Sequence, residues 1–130
     1  MKLTPLGLGI AGVVNLLPIV GVLGRAWLNK LYGIGLTEND SDTTLLMQHR
    51  AVLLSVVSLI SFKGMIDKKV QNTATALATL SMASYAVIVM GKTDNKDIFK
   101  VALVDCGALL VLLGGVAWDA RNSWLGKAKQ

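Results

Sequence analysis

Charged side chains are scarce in this chain of 130 residues: they make up 16% of the sequence, whereas 53% is hydrophobic and the mean hydropathy is +0.58. Soluble domains are usually close to one quarter charged. This shortage of charge excludes most classes of soluble protein. It indicates a protein embedded in a membrane.

The chain has a single cysteine, Cys106, and a single histidine, His49. One cysteine excludes an intramolecular disulfide and a thiolate metal cluster, and we interpret Cys106 as a small buried apolar residue. One histidine and one cysteine also exclude a metal site built from three or four such ligands, and haem ligation by two histidines of one chain. We therefore predict no metal site and no cofactor, with a bound lipid or quinone as the alternative, and we do not expect an enzyme that acts alone.

Four long apolar stretches fill most of the chain, at about 3–23, 43–62, 70–90 and 98–118. About 20 helical residues are needed to cross the hydrocarbon core of a bilayer. We predict an all-α integral membrane protein, a four-helix bundle that forms one transmembrane domain over residues 1–130. Pro18 should bend the first helix near its far end, because it removes a backbone N–H.

The connection between the first two stretches predicts a short interfacial helix at about 25–33. Leu28 and Leu31 recur there at helical spacing, and basic residues lie elsewhere around the turn. A helix with one apolar face lies in the headgroup region of a bilayer. Tryptophan and tyrosine also favour that region, and the predicted interfacial anchors are Trp27, Tyr32, Trp118 and Trp124.

The second apolar stretch carries the most information about a site. Its purely apolar part, residues 51–62, would rise only about 18 Å as a helix, which is too short to span. The helix must begin near Thr43 and take polar side chains in with it. With a helical rise of about 1.5 Å per residue, five polar side chains from all four spans lie about 8 to 12 Å below the same membrane surface. This predicted polar layer consists of Asn15, His49, Arg50, Tyr85 and Asp105.

A lone charge at that depth is costly and is normally paired, so we predict a buried ion pair between Arg50 and Asp105. The alternative for Arg50 is to extend its guanidinium up to the headgroups. The pair would either fix helix register or belong to a binding pocket. His49 is either a structural histidine or a proton-transfer group. Tyr85 and Asn15 are expected to form hydrogen bonds between helices.

Basic residues are slightly more frequent on one side of the predicted spans. The sequence places Lys2, Lys63, Lys68, Lys69, Arg121, Lys127 and Lys129 there, against Arg25, Lys30, Lys92, Lys96 and Lys100 on the other side, with Arg50 as a sixth if it is counted. The richer side is normally cytoplasmic. We predict that both termini are cytoplasmic, in a bacterial inner membrane or alternatively a mitochondrial one. Because these residues occupy short loops, the net charge of +5 indicates lipid headgroup contacts and no nucleic-acid partner.

Short motifs along most of the chain resemble a group of small bacterial four-span membrane proteins, broadly similar to DoxX-like proteins. They are Leu17 with Pro18, residues 21–24, residues 31–33, residues 49–51, and Asp105 with Cys106. The resemblance implies a four-helix bundle. It also implies an association with quinone-linked redox reactions or with assembly of other proteins, without assigning a role to any residue.

The sequence does not decide among three hypotheses for the function. The first is an accessory or assembly subunit without its own catalytic site, packed against another membrane protein or against copies of itself. The second is a binding or transport module whose polar pocket around Arg50 and Asp105 accepts an anionic lipid head, a quinone or a small polar solute. The third is a small proton-coupled exporter.

Overall fold

The computed structural model describes residues 2–90 and 95–127, with only the backbone of residues 126 and 127. Lys92 and Lys129, which entered the orientation argument, lie outside this part of the chain, as does the side chain of Lys127. The helices are α1 (Thr4–Leu16), α2 (Arg25–Tyr32), α3 (Ser41–Ile66), α4 (Lys68–Val89) and α5 (Lys96–Lys127). A 3-10 segment, Leu17–Leu23, continues α1.

Within the described residues, four helices are long and apolar enough to cross a membrane: Thr4–Leu23, Ser41–Ile66, Lys68–Val89 and Lys96–Leu125. The prediction of an all-helical chain with four such helices is confirmed. α3 and α5 are longer than the apolar stretches that predicted them, because backbone hydrogen bonding continues beyond those stretches at both ends. α3 and α4 are separated by Asp67 alone, whose carboxylate accepts a hydrogen bond from the N–H of Lys69 at 2.9 Å.

The first apolar helix changes its winding where Pro18 was expected to bend it. α1 ends at Leu16, and Pro18 lies at the start of the tighter 3-10 segment. A proline has no N–H to give to the preceding turn, so the regular α-helical ladder cannot continue through it. From α3, the Nε2 of Gln48 donates to the carbonyl of Val22 at 3.0 Å and satisfies one acceptor of this segment.

The four long helices form a ring in which α1 packs against α3 and α5, and α4 also packs against α3 and α5. α1 and α4 meet across the centre of the ring, whereas α3 and α5 do not contact each other within the described residues. Small side chains allow the close approaches. A Cβ at Gly7 would lie 2.8 Å from the Cα of Leu112, and Ala74 and Ala78 are fully buried.

Large apolar side chains cover the outside of every long helix. Examples of exposed ones are Leu6 and Val13 on α1, Leu53 and Leu59 on α3, Leu80 and Val87 on α4, and Leu103 and Leu110 on α5. The buried core is narrow by comparison and consists mainly of alanine, leucine and Met82. Such a distribution, with apolar side chains facing outward on all sides, is unfavourable in water and suits a hydrocarbon environment.

Candidate functional site

A cavity of about 490 Å³ lies between the long helices, on the side of the molecule where α2 is found. Every helix and the 3-10 segment contribute side chains to it. The lining residues are Val14, Asn15, Leu17, Pro18, Leu31, Tyr32, Arg50, Leu54, Ser81, Ser84, Tyr85, Ile88, Lys100, Val101, Val104 and Asp105. Its size is that of a pocket for a small molecule.

Four of the five side chains of the predicted polar layer line this cavity: Asn15, Arg50, Tyr85 and Asp105. They come from α1, α3, α4 and α5, as the depth argument required. His49 is the exception, because it is exposed on the outer surface of α3 and does not line the cavity. Adjacent residues on a helix diverge by about 100°, so Arg50 can face inward only if His49 does not.

Arg50 packs against an aromatic ring instead of forming the predicted ion pair. Its guanidinium carbon lies 4.4 Å from the centroid of the Tyr85 ring. Among the described residues, the ion pairs are Arg25 with Glu38, Lys63 with Asp67, and Lys100 with Asp97. The pair between Arg50 and Asp105 fails to form because α3 and α5 occupy opposite positions in the ring. The similar depth predicted for Arg50 and Asp105 did not require α3 and α5 to be neighbours.

Asn15 connects α1 to α4 at the floor of the cavity, as expected for a hydrogen bond between helices. Its Oδ1 accepts from the hydroxyl of Ser81 at 2.8 Å, and its Nδ2 donates to the carbonyl of Ala11 at 2.8 Å. Asn15 is buried. These bonds satisfy its amide and fix the two central helices at this height.

Tyr32 belongs to the cavity and is not the interfacial anchor that its position in α2 suggested. It is only 3% exposed and, with Leu31, closes the cavity from the α2 side. Burial raises the pKa of Tyr32 above its ordinary value of 10.0, the charge of Arg50 opposes that shift, and Tyr85 and Asp105 add to it. The phenol is therefore within electrostatic reach of Arg50, Tyr85 and Asp105.

α2 is held over the cavity by hydrogen bonds at its C-terminal end. Gly33 ends the helix in the left-handed conformation with φ of 60°, and its carbonyl accepts from the Nδ2 of Asn95 at 3.0 Å. The side chain of Asn29 is bonded to the backbone of Leu36 through both of its polar atoms. At the same rim, Lys100 binds Asp97 with an N to O distance of 2.9 Å.

The remaining predicted anchors, Trp27, Trp118 and Trp124, are all exposed. Trp27 carries Lys30 over its ring, with the ammonium 5.4 Å from the centroid. Trp118 and Trp124 lie near the C-terminal end of α5, which is the end of the molecule opposite to α2. The sequence predicted anchors of the second interface at this end, and their role as anchors stays a prediction.

Asp119 holds the start of α1 at that opposite end, a contact that sequence reasoning did not find. Its carboxylate accepts from the backbone N–H of Leu3 and of Thr4, both at 2.9 Å, and from the hydroxyl of Thr4 at 2.7 Å. A groove of about 800 Å³ lies beside it. The Asp119 carboxylate and the hydroxyls of Thr4, Thr75 and Ser123 in that groove are already bonded within the protein.

In the described ranges, no three histidine, cysteine, aspartate or glutamate side chains come together as a metal site would require. No family model, no curated protein and no solved structure matches the chain. The resemblance to DoxX-like proteins stays a prediction that rests on the short motifs alone.

Proposed function

We propose that the chain is an integral membrane four-helix bundle that binds a small amphipathic molecule in the cavity beneath α2, as a binding or carrier module without its own catalytic site. The observation that carries this proposal is the convergence of Arg50, Tyr85 and Asp105 on one cavity. Polar and charged groups inside a membrane are costly, and they are usually kept where they serve a ligand or an ion. Arg50 and Asp105 form no ion pair within the described residues that would account for them as structural groups.

The walls of the cavity support a ligand with an apolar part. Leu17 and Ile88 line the cavity and are nevertheless 54% and 59% exposed. The cavity is thus continuous with the outer apolar surface of the helices. A molecule could enter it from the hydrocarbon layer and leave its apolar part there, while its polar group contacts the side chains inside.

The accessory-subunit and exporter hypotheses remain predictions. The exposed apolar side chains of the long helices would suit contact with another membrane protein or with lipid equally well. The cavity favours the binding hypothesis over the accessory-subunit hypothesis. A purely structural subunit does not need charged side chains that face an internal cavity without an ion pair.

The test is native mass spectrometry of the protein extracted from its membrane in a mild nonionic detergent. We expect a bound small molecule on the wild type, loss of that mass with Arg50→Gln, and retention with His49→Gln. His49 is the matched control because it neighbours Arg50 in α3 and lies outside the cavity. Absence of any saturable small-molecule binding in the wild type would overturn the proposal, as would equal binding by the Arg50 variant.

A further inference from the structure

The charges around the cavity restrict the polar group of the ligand. We propose that the cavity recognises a zwitterionic group, whose anionic part binds Arg50 and whose ammonium part binds Asp105. This inference rests on the proposed binding function. The two charges face one cavity from α3 and α5, which do not contact each other in the described part of the chain.

Arg50 is positioned to receive the anionic part. Its guanidinium lies with its carbon 4.4 Å from the ring centroid of Tyr85. A guanidinium has five N–H donors, so its contact with the ring of Tyr85 still leaves donors for a ligand. A planar fork of donors suits a carboxylate or a phosphate. The ring of Tyr85 also restrains the side chain before the ligand arrives, which lowers the cost of ordering it.

Asp105 is positioned to receive the cationic part. Its carboxylate lines the cavity from α5 and is half-buried, and among the described residues it forms neither an ion pair nor a hydrogen bond. Lys100 also lines the cavity but is already bound to Asp97 at 2.9 Å. An ionised carboxylate can only accept hydrogen bonds, and an ammonium group supplies three donors and the opposite charge.

Only a zwitterion compensates both side chains at once. An anion would bind Arg50 and leave Asp105 unpaired beside a like charge, and a cation would do the reverse. A neutral ligand such as a quinone would leave both side chains without a direct ionic partner in a medium of low dielectric constant, where only their attraction across the cavity would offset the cost of burying them. The two side chains form no direct ion pair. A ligand that carries both a positive and a negative charge would bridge them.

A zwitterionic group could belong to a lipid or to a free solute. The apolar wall formed by Leu17, Leu54 and Ile88 favours a lipid, because a water-soluble molecule would gain nothing from it. Probes for the two sources are monoacyl phosphatidylethanolamine and its soluble headgroup, glycerophosphoethanolamine.

The experiment is competition measured by native mass spectrometry on the purified full chain in nonionic detergent. Three probes share one acyl chain length: monoacyl phosphatidylethanolamine, monoacyl phosphatidylglycerol and an alkylamine. We expect the zwitterion to be preferred by about tenfold over each of the others, since one hydrogen bond to a charged group is worth that much. Glycerophosphoethanolamine should compete only weakly if the ligand is a lipid, and as well as the lipid if it is a solute.

Charge-changing variants should redirect the preference. Asp105→Asn removes the site for the ammonium and should favour the anionic probe, whereas Arg50→Gln should favour the alkylamine. His49→Gln should keep the wild-type order. If either variant fails to fold, the competition among the three probes on the wild type still tests the proposal.

Two unfavourable results can be told apart. Saturable binding of all three probes without preference, or preference for a single-sign probe in the wild type, overturns the zwitterion and leaves the binding function standing. Failure of every probe to bind saturably removes both proposals.

Discussion

Arg50 and Asp105 face the same cavity from α3 and α5, two helices that do not contact each other in the part of the chain that the structure describes. The guanidinium is held by the ring of Tyr85 instead. The two charges should therefore interact only weakly across the cavity in the free protein, and act jointly on a ligand that lies between them.

The first prediction concerns the stability of charge-removing variants. Arg50→Met and Asp105→Leu should show a coupling energy of about 0.5–1 kcal/mol, at the low end of the range for residues that share a cavity, because the side chains form no direct ion pair. Removing one partner of a direct buried ion pair would cost about 3–5 kcal/mol, much of which the double replacement would recover. Thermal unfolding in detergent of the wild type, both single variants and the double variant measures this. A double variant clearly more stable than either single variant would show a direct pair.

The second prediction tests whether the ring of Tyr85 or its hydroxyl contributes to ligand binding. Tyr85→Phe keeps the aromatic face under Arg50 and should bind the ligand nearly as well as the wild type. Tyr85→Leu removes that face and should weaken binding by about 0.5–2 kcal/mol, the usual range for a cation over a ring. Affinities from native mass spectrometry decide. Equal losses in both variants would point to the hydroxyl and contradict the proposed role of the ring.

The four long helices and the convergence of four polar side chains on one cavity could be predicted from the dimensions of a bilayer. A fixed thickness sets the length of each helix, and a fixed rise sets the height of each residue. Those rules brought Asn15, Arg50, Tyr85 and Asp105 to one level. They could not say which helices are neighbours, since height carries no information about position around the ring, and so the expected ion pair was wrong.

The contacts of two other side chains, Tyr32 and Asp119, were not predicted from the sequence for related reasons. The apolar face of α2 was recognised from the spacing of Leu28, Leu31 and Tyr32, but lipid and protein both accept such a face. In the structure it packs onto the cavity and buries Tyr32. Asp119 caps a helix that begins 115 residues earlier in the chain, and no local pattern in the sequence signals a partner so distant.

The third prediction tests this distant cap. Asp119→Ala should destabilise the protein by about 1 kcal/mol, the usual cost of losing a capping side chain. Asp119→Asn keeps one acceptor oxygen and should lose less. Hydrogen exchange of the amides of Leu3 and Thr4 should accelerate in the alanine variant, because both now donate to the carboxylate. Unchanged exchange at these amides would argue against the contact.

The fourth prediction is a pH dependence at the turn between α3 and α4. The hydrogen bond from the N–H of Lys69 lowers the pKa of Asp67 below its ordinary value of 3.8, and a hydrogen bond from Lys63 and its charge act in the same direction. A carboxyl whose pKa is lowered on folding stabilises the folded state above its unfolded pKa, and that contribution is lost as the pH falls through the folded pKa. Protection of the Lys69 amide should thus decline as the pH falls below the ordinary pKa of 3.8. Asp67→Asn should lack this step.

The fifth prediction uses two glycines that differ only in their surroundings. A Cβ added at Gly7 would lie 2.8 Å from the Cα of Leu112, so Gly7→Ala must push α1 and α5 apart. We expect a loss of about 1–3 kcal/mol, the usual cost of overpacking a tight contact. At Gly107 a Cβ would meet nothing within 4 Å, so Gly107→Ala should be neutral or stabilising by up to about 1 kcal/mol through helix propensity. Thermal unfolding of both variants under the same conditions measures the difference. Because both residues lie in apolar helices, a general effect of alanine in detergent would shift both alike, and only the packing of α1 against α5 explains a loss confined to Gly7→Ala.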